Sequence, residues 1–393
     1  MKFSPLTERI AGGGGAAWAT HDLAVAERAA GRAITFLTIG DPDQAPPGVV
    51  IEAAREALAR HETGYAPIAG LPAVRAAIAA RIARRSGAPC AQANVVVTAG
   101  AQAGLFIALQ CIAGPGDEVI VGEPVYATYG AVAGASGATL VTVPLDADRG
   151  YHPDLDAFAR AITPRTRAIW INNPHNPGGA VLDAAELAAI ADLCRRHDLW
   201  LVADEVYEDL AFGRTHISAW SLAGMAERTI VVSSLSKSHA LPGFRFGWIA
   251  GPPALSAHAI NLIMGMLFGG PPFIQAAVLP ALTGDLADAA ALSAAYRRRA
   301  EAFAAVLARA PNCRITPPEG GMFALLDVRP TGLTSDAFAR RLLAEEGIAV
   351  LPCDAFGPSA VGRLRISLTL PDETLLAAGR RIVAFATRIA AEG

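Results

Sequence analysis

TIVVSSLSKSHALPGFRFGWIA, residues 229–250, holds two apolar, β-rich runs, TIVVSS and FGWIA, with a lysine between them. Five more such runs recur along the chain: NVVVT (94–98), EVIVG (118–122), TLVTV (139–143), AIWIN (168–172) and LWLVADE (199–205). Several are apolar throughout, without alternation, as strands buried on both faces are. Ala-rich stretches of helical period, such as AAELAAIADLCRRHD (184–198), separate them. Buried strands interleaved with helices predict an α/β fold on a mostly parallel, seven-stranded sheet.

A length of 393 residues suits two or three domains. After about residue 285 the texture changes to a long Ala/Arg helix, then MFALLDV, a helix around SDAFARRLLAEE, IAVLP, RLRISL and a terminal helix. That pattern predicts a smaller α+β unit. The expected division is an arm over 1–40, a large unit over 41–285 and a small unit over 286–393. The arm, with no core of its own, is expected to dock on the C-terminal unit or on another subunit.

Hydrophobic residues make up 52% and charged residues 18%, which calls for a large buried interior and argues against disorder. A net charge of -3 provides no field for nucleic acid, and the clusters RIARR (81–85) and RRR (297–299) read as solvated helix faces. Five Cys without metal-ligand or CxxC spacing point to a reducing compartment and to no metal. MKFSPLTERI lacks the apolar core of a signal peptide, and the apolar stretch 261–282 is broken by Gly-Gly-Pro-Pro, so a buried interrupted segment is expected rather than a membrane span. The expected location is the cytoplasm.

Only two of the 33 basic residues are Lys, namely Lys2 and Lys237. Arg is always protonated, whereas a desolvated lysine amine can act as nucleophile or base. Other candidates stand where strands end, the edge at which open α/β sheets bind ligands. VTAGAQAGLFIALQ (97–110) offers the backbone N–H groups of Ala101 and Gln102 at a helix start, suited to an anion. LVADEVYEDL ends a strand in Asp204, with Tyr207 three residues on, about one helical turn away. Ser234, Ser236 and Arg245 suit a phosphate, and Lys237 beside them suits an aldehyde. EPVYATY presents Tyr126, and NPHNPGG presents Asn176. Each also has a plain structural explanation: a short βα loop, a helix cap or core ion pair, a core tyrosine, a turn-forming asparagine. Five such features at successive strand ends are harder to explain that way.

In order along nearly the whole chain, GDPD (40–43), Tyr65 with GLPAVR, TAGAQ, EPVYATY, NPHNPGG, DEVY, SLSKSHALPGFRFGW, EGGMF and RLRISL resemble the motifs of fold-type I, class I/II aminotransferases that use pyridoxal 5'-phosphate. The strings NPHNP, SLSKSHA, RPTGL and AFGPSA are similar to those of bacterial arginine:pyruvate aminotransferases. The resemblance implies that Lys237 forms the Schiff base and shuttles the proton, Asp204 keeps the pyridine nitrogen protonated, and Tyr207 and Asn176 bond the ring oxygen. It further implies that Tyr126 stacks on the ring and that Ala101, Gln102, Ser234, Ser236 and Arg245 hold the phosphate. Tyr65 reaches the neighbouring subunit's phosphate in an implied homodimer. The same resemblance implies that Arg365 grips the substrate carboxylate, helped by Asn176 and Gly40; Trp18 is able to cover an alkyl or guanidinium part of a substrate side chain by stacking.

Two departures stand out: Gly178 where many relatives carry Thr, and Gly269-Gly270 where many present a hydroxyl to the partner's phosphate. The latter segment also lacks an Arg, which weighs against a dicarboxylate substrate. A cationic substrate needs an acid near the pocket mouth, and Glu8, Asp41, Asp43 and Asp354 are the candidates. The expected reaction is ping-pong transfer of an amino group from an L-amino acid, arginine among the candidates, to pyruvate or another small 2-oxo acid. The rivals on the same fold are a biosynthetic transaminase of a modified or cyclic guanidino 2-oxo acid, a β-eliminating enzyme and an arginine oxidase. A cofactor-binding regulator is disfavoured because no basic recognition helix precedes the large unit, and a nicotinamide enzyme because no GxGxxG follows a strand.

Overall fold

A computed structural model describes residues 1–11, 18–284 and 287–392. After β1 (Thr35–Phe36) come β2 (Val95–Thr98), β3 (Glu118–Glu123), β4 (Thr139–Pro144), β5 (Thr166–Asn172), β6 (Trp200–Asp204), β7 (Thr229–Ser234) and β8 (Gly247–Ala250). The last seven form one sheet in the order β2-β8-β7-β6-β5-β3-β4. Only β8 runs against its neighbours. The seven expected runs are the seven strands, shifted by a residue or two at their ends. Strands β2 and β7 are buried at every position, because helices cover both faces.

The antiparallel strand matters for placement. Its first residue, Gly247, lies opposite Thr98 at the end of β2 and Ser234 at the end of β7. A Cβ at Gly247 would stand 2.6 Å from the Gly100 carbonyl carbon and 2.7 Å from the Ala101 nitrogen. Glycine therefore lets the turn after β2 fold down onto the sheet edge. Arg245, which enters β8, arrives at the same edge as the carboxyl ends of the parallel strands.

A second core gathers after residue 287. The helix Ala287–Leu307, β9 (Arg314–Thr316), β10 (Phe323–Asp327), the helix Ser335–Glu346, β11 (Ile348–Ala349), β12 (Leu351–Pro352), β13 (Arg363–Ser367) and the helix Asp372–Glu392 follow in turn. Four of these strands form an antiparallel sheet in the order β12-β13-β10-β9, packed around Phe303, Phe338 and Phe385. The boundary expected at 285–286 lies outside the described residues. The expected break in the apolar stretch is present: one helix ends at Met266 and the next starts at Pro272.

The N-terminal arm departs from expectation in one respect. β1 pairs in parallel with β11, and Ala24 of the helix Ala19–Ala29 packs with Leu343 of the helix Ser335–Glu346 and Ala349 of β11. The helix Pro5–Ile10, however, rests on the large unit, where Arg9 Nε donates to the Gly134 carbonyl at 3.1 Å. The arm thus touches both cores, because Gly134 offers a helix surface bare enough for close approach. The Gly-rich part of the arm, 12–17, lies outside the described residues.

The Arg clusters are not simply solvated faces. Arg81, 2% exposed, donates to Glu208 at 3.1 Å and to Asp209 at 2.7 Å, and Arg85 bonds both acids as well. Arg299 holds Asp43 with two bonds of 2.8 Å and Asp372 with a third. A guanidinium can leave water when carboxylates match its planar fork, which composition alone does not reveal. Asp43→Ala leaves a buried guanidinium partly unmatched, and urea unfolding is expected to show a loss of about 2 kcal/mol. A loss under about 0.5 kcal/mol, the ordinary surface range, would contradict a buried role for the pair.

Candidate active site

A cavity of about 230 Å³ opens at the carboxyl edge of the large sheet, against the second core. Lys237, Asp204, Arg365, Arg245, Asn176 and Tyr207 line it. So do Ala101, Gln102, Tyr126, Ser234, Ser236, Gly40 and Trp18. The structure thereby brings together every residue predicted to hold the cofactor or grip the substrate except Tyr65; the four candidate acids do not line the cavity. That side chain is 89% exposed and rests edge-on against Phe268.

The helix Ala101–Ile112 starts at this edge from Gly100, with no side-chain cap on its first turn. The Arg245 guanidinium lies beside that turn, its Nη2 donating to the Ala99 carbonyl at 3.3 Å. Ser234 Oγ accepts from the Ser236 amide at 3.3 Å. Uncapped helix N–H groups, two hydroxyls and a guanidinium together make an anion cradle.

Lys237 Nζ donates to the Gly40 carbonyl at 2.7 Å. Burial pulls its pKa down to about 8; Asp41 and Asp204 oppose the shift, while Arg365 and Arg245 reinforce it. Across the cavity, burial pushes the Asp204 carboxyl up to about 6, against hydrogen bonds from the Tyr129 hydroxyl and the Val206 amide. The segment after Asp204 is a run of turns rather than the expected helical turn, yet it buries Tyr207 and sets its hydroxyl 3.4 Å from Asn176 Nδ2. Glu208 and Asp209 anchor these turns through Arg81 and Arg85, and burial of Asp209 is outweighed by those two cations, which hold its pKa low.

Arg365, in the middle of β13, is 2% exposed. Its Nη2 donates to the Thr38 carbonyl at 2.8 Å and its Nη1 to Asn176 Oδ1 at 3.3 Å, and the guanidinium lies 4.0 Å over the Phe323 ring. Its Nε–H is buried without a partner. A buried cation with an unmet donor at a cavity wall is prepared for a carboxylate.

Sequence reasoning passed over two residues. The first is His175, whose Nε2 lies 3.1 Å from the Pro124 carbonyl and whose Nδ1 accepts the Gly178 N–H at 3.1 Å. A carbonyl can only accept and an amide N–H can only donate, so the ring is neutral with its proton on Nε2. It ties the loop bearing Tyr126 to the loop bearing Asn176. A Cβ at Gly178 would fall 2.6 Å from Tyr151 and 2.8 Å from His175 Nδ1, so this ring and Tyr151 fill the space that a threonine would need. The second is Tyr129, three residues past Tyr126 in the quoted motif, whose hydroxyl donates to Asp204 at 2.6 Å.

Of the four candidate acids, Asp43 is held by Arg299, and Asp354 accepts from Ser335 and the Gly362 amide. Glu8 is exposed on the first helix. Asp41 alone acts on the site, through its charge on Lys237.

A sheet-edge lysine, an acid at the end of β6 and a carboxylate-ready arginine from the second core share one cavity, and the comparisons with known proteins make the chain a transaminase. The chain belongs to the family of class I and II aminotransferases, whose model matches residues 32–382. It is 48% identical over 389 residues to arginine–pyruvate transaminase of Pseudomonas aeruginosa, covering 99% of both chains. It is 36% identical over 360 residues to aspartate/prephenate aminotransferase of Thermus thermophilus, covering 91% of this chain and 92% of that one. Among solved structures, the Thermus thermophilus aspartate aminotransferase with maleate superposes with a TM-score of 0.92 at 34% identity, over 98% of this chain and all of that one.

Two outcomes check this geometry. In cofactor-free protein, trinitrophenylation of Lys237 is expected to rise with pH around a midpoint near 8, whereas an unperturbed amine has a midpoint of 10.5. Burial depresses the His175 pKa from 6.5 to about 4. The unfolded chain therefore binds its proton first, and the stability this ring contributes falls as pH drops from 6.5 toward 4. The gap in unfolding free energy between wild type and His175→Phe, about 2 kcal/mol at pH 7, is expected to narrow over that window.

Proposed function

We propose that this transaminase uses pyridoxal 5'-phosphate and moves the amino group of L-arginine, or of a closely related guanidino amino acid, to pyruvate. The observation that carries the cofactor is the desolvated Lys237 amine in one cavity with an anion cradle and a buried acid. The residues fit such a group: the cradle suits a phosphate, the amine an aldehyde, and Asp204 a protonated ring nitrogen. The donor and acceptor rest on the 48% identity to arginine–pyruvate transaminase.

When bound, the cofactor supplies an aldehyde for covalent linkage and a ring that takes up electrons. Lys237 gives the amine for that link, and once displaced by substrate it moves the proton at the substrate Cα. Its lowered pKa keeps a useful fraction unprotonated near neutral pH, which Arg in its place could not do. Asp204 would hold a proton on the ring nitrogen. Tyr207 and Asn176 would bond the ring oxygen, and Tyr126 would cover the ring. Ala101, Gln102, Ser234, Ser236 and Arg245 would hold the phosphate. Arg365 would take the substrate carboxylate with Asn176 and the Gly40 backbone, and Trp18 would cover the side chain.

A homodimer forms part of this proposal. Tyr65 stands exposed beside Phe268, and Leu262, Met264, Met266 and Leu267 are exposed close to it in sequence. A second copy would cover these side chains and receive Tyr65 at its phosphate. The arm, large and small units, 1–40, 41–285 and 286–393, and a cytoplasmic location complete the proposal. All five cysteines are free thiols, and no described helix is long and apolar enough to cross a membrane.

Single amino acids added to loaded protein without acceptor test the reading. Conversion of the visible absorbance to that of the pyridoxamine form is expected with arginine and its homologues, without oxygen uptake. Lys237→Ala is expected to abolish it, and Arg365→Lys to lower kcat/KM about a hundredfold through loss of bidentate geometry. Absence of conversion with every amino acid tried, or oxygen consumption in place of acceptor dependence, would overturn the transaminase reading.

A further inference from the structure

In the wall of the cavity, Tyr129 begins the helix Tyr129–Ser136. Its hydroxyl lies 2.6 Å from Asp204 Oδ2, and the two residues are 2% and 5% exposed. The ring is stacked on Trp170 of β5, with centroids 3.8 Å apart and planes at 21°. It also meets Tyr126 edge-on at 5.7 Å and 86°. The other carboxylate oxygen, Oδ1, accepts only a longer bond, 3.3 Å, from the Val206 amide.

This arrangement does more than fill the core. Burial favours the neutral form of Asp204, and the strongest local opposition is the Tyr129 hydrogen bond. Burial and the adjacent carboxylate raise the Tyr129 pKa well above the ordinary phenol value, so the hydroxyl keeps its proton. Toward the ionised carboxylate, which can only accept, it is the donor. The stack on Trp170 ties the phenol ring to β5, so the donor that meets the carboxylate is held by the sheet. Phenylalanine would fill the same volume but provide none of this.

We propose that Tyr129 is a positioning residue of the reaction: its hydroxyl holds the Asp204 carboxylate ionised and aimed into the cavity, and so keeps the proton on the cofactor's ring nitrogen. The inference rests on the pyridoxal-phosphate reading above. It assigns Tyr129 no contact with substrate. Its influence passes through Asp204, and through the edge contact to the tilt of Tyr126.

Tyr129→Phe tests it by two measurements on the loaded protein that do not depend on turnover. Without the hydroxyl, Asp204 competes more strongly for the ring proton, the ring withdraws fewer electrons, and the cofactor-linked nitrogen of Lys237 holds its proton more tightly. The pH midpoint of the visible absorbance change is expected to rise by about half to one unit. Equilibrium dissociation of pyridoxal 5'-phosphate is expected to weaken about tenfold, the scale of one hydrogen bond to a charged group. In an Asp204→Asn background the same substitution should change dissociation less than about twofold, because the charged acceptor is gone. Tyr296→Phe, which removes a buried hydroxyl without a partner, serves as the control and is expected to move neither quantity. An unchanged midpoint in Tyr129→Phe, or an equal loss of affinity with and without Asp204, overturns the assignment while leaving the cofactor reading intact. Failure of wild type to retain the cofactor on Lys237 after borohydride treatment and peptide mapping overturns the cofactor reading itself.

Discussion

The structure depends on keeping the Lys237 amine out of water at a place where two cations, Arg365 and Arg245, and two acids, Asp41 and Asp204, all act on it. None of these groups is near another in sequence except Lys237 and Arg245. The sheet gathers most of them, because parallel strands deliver their carboxyl ends to one edge and the reversed β8 brings Arg245 back to it. The second core contributes Arg365 from a central strand, where backbone pairing on both sides fixes its origin. A desolvated amine is costly unless its protonation is balanced by neighbours, so the site's chemistry and the fold's topology answer the same requirement.

Much of this was legible in the sequence. Continuous apolar runs marked the seven strands, since strands covered on both faces need no polar side, and the residues just past them marked the cavity. Lysine scarcity singled out Lys237 because no guanidinium can do its work. What could not be read was the supporting layer. Arg81 and Arg299 look like surface residues in a helical pattern, and only the fold reveals that Glu208, Asp209, Asp43 and Asp372 lie opposite them. Asp43 and Asp354 seemed free to meet a cationic substrate for the same reason. The hidden information in each case is the identity of a distant partner, which no local spacing encodes.

Gly178 shows how such a partner changes the meaning of a position. As a bare substitution it suggested a missing polar restraint in the loop that carries Asn176. The folded chain supplies a restraint from another direction, through a neutral imidazole that takes the Gly178 N–H and reaches the loop of Tyr126. Threonine and this ring cannot share the space. The bare backbone at Gly178 thus goes with the positions of His175 and Tyr151, which close over it.

The segment 35–40 is stitched to the second core: β1 joins β11, Ser367 donates to the Leu37 carbonyl, and Arg365 donates to the Thr38 carbonyl. Gly40, two residues on, holds the lysine amine that the large sheet supplies. Any swing of that second core as a body would carry the carboxylate grip and the Gly40 carbonyl away in one stroke. Admission of a new molecule and release of the amine from its resting contact would then be a single mechanical event, like a latch that opens with its door.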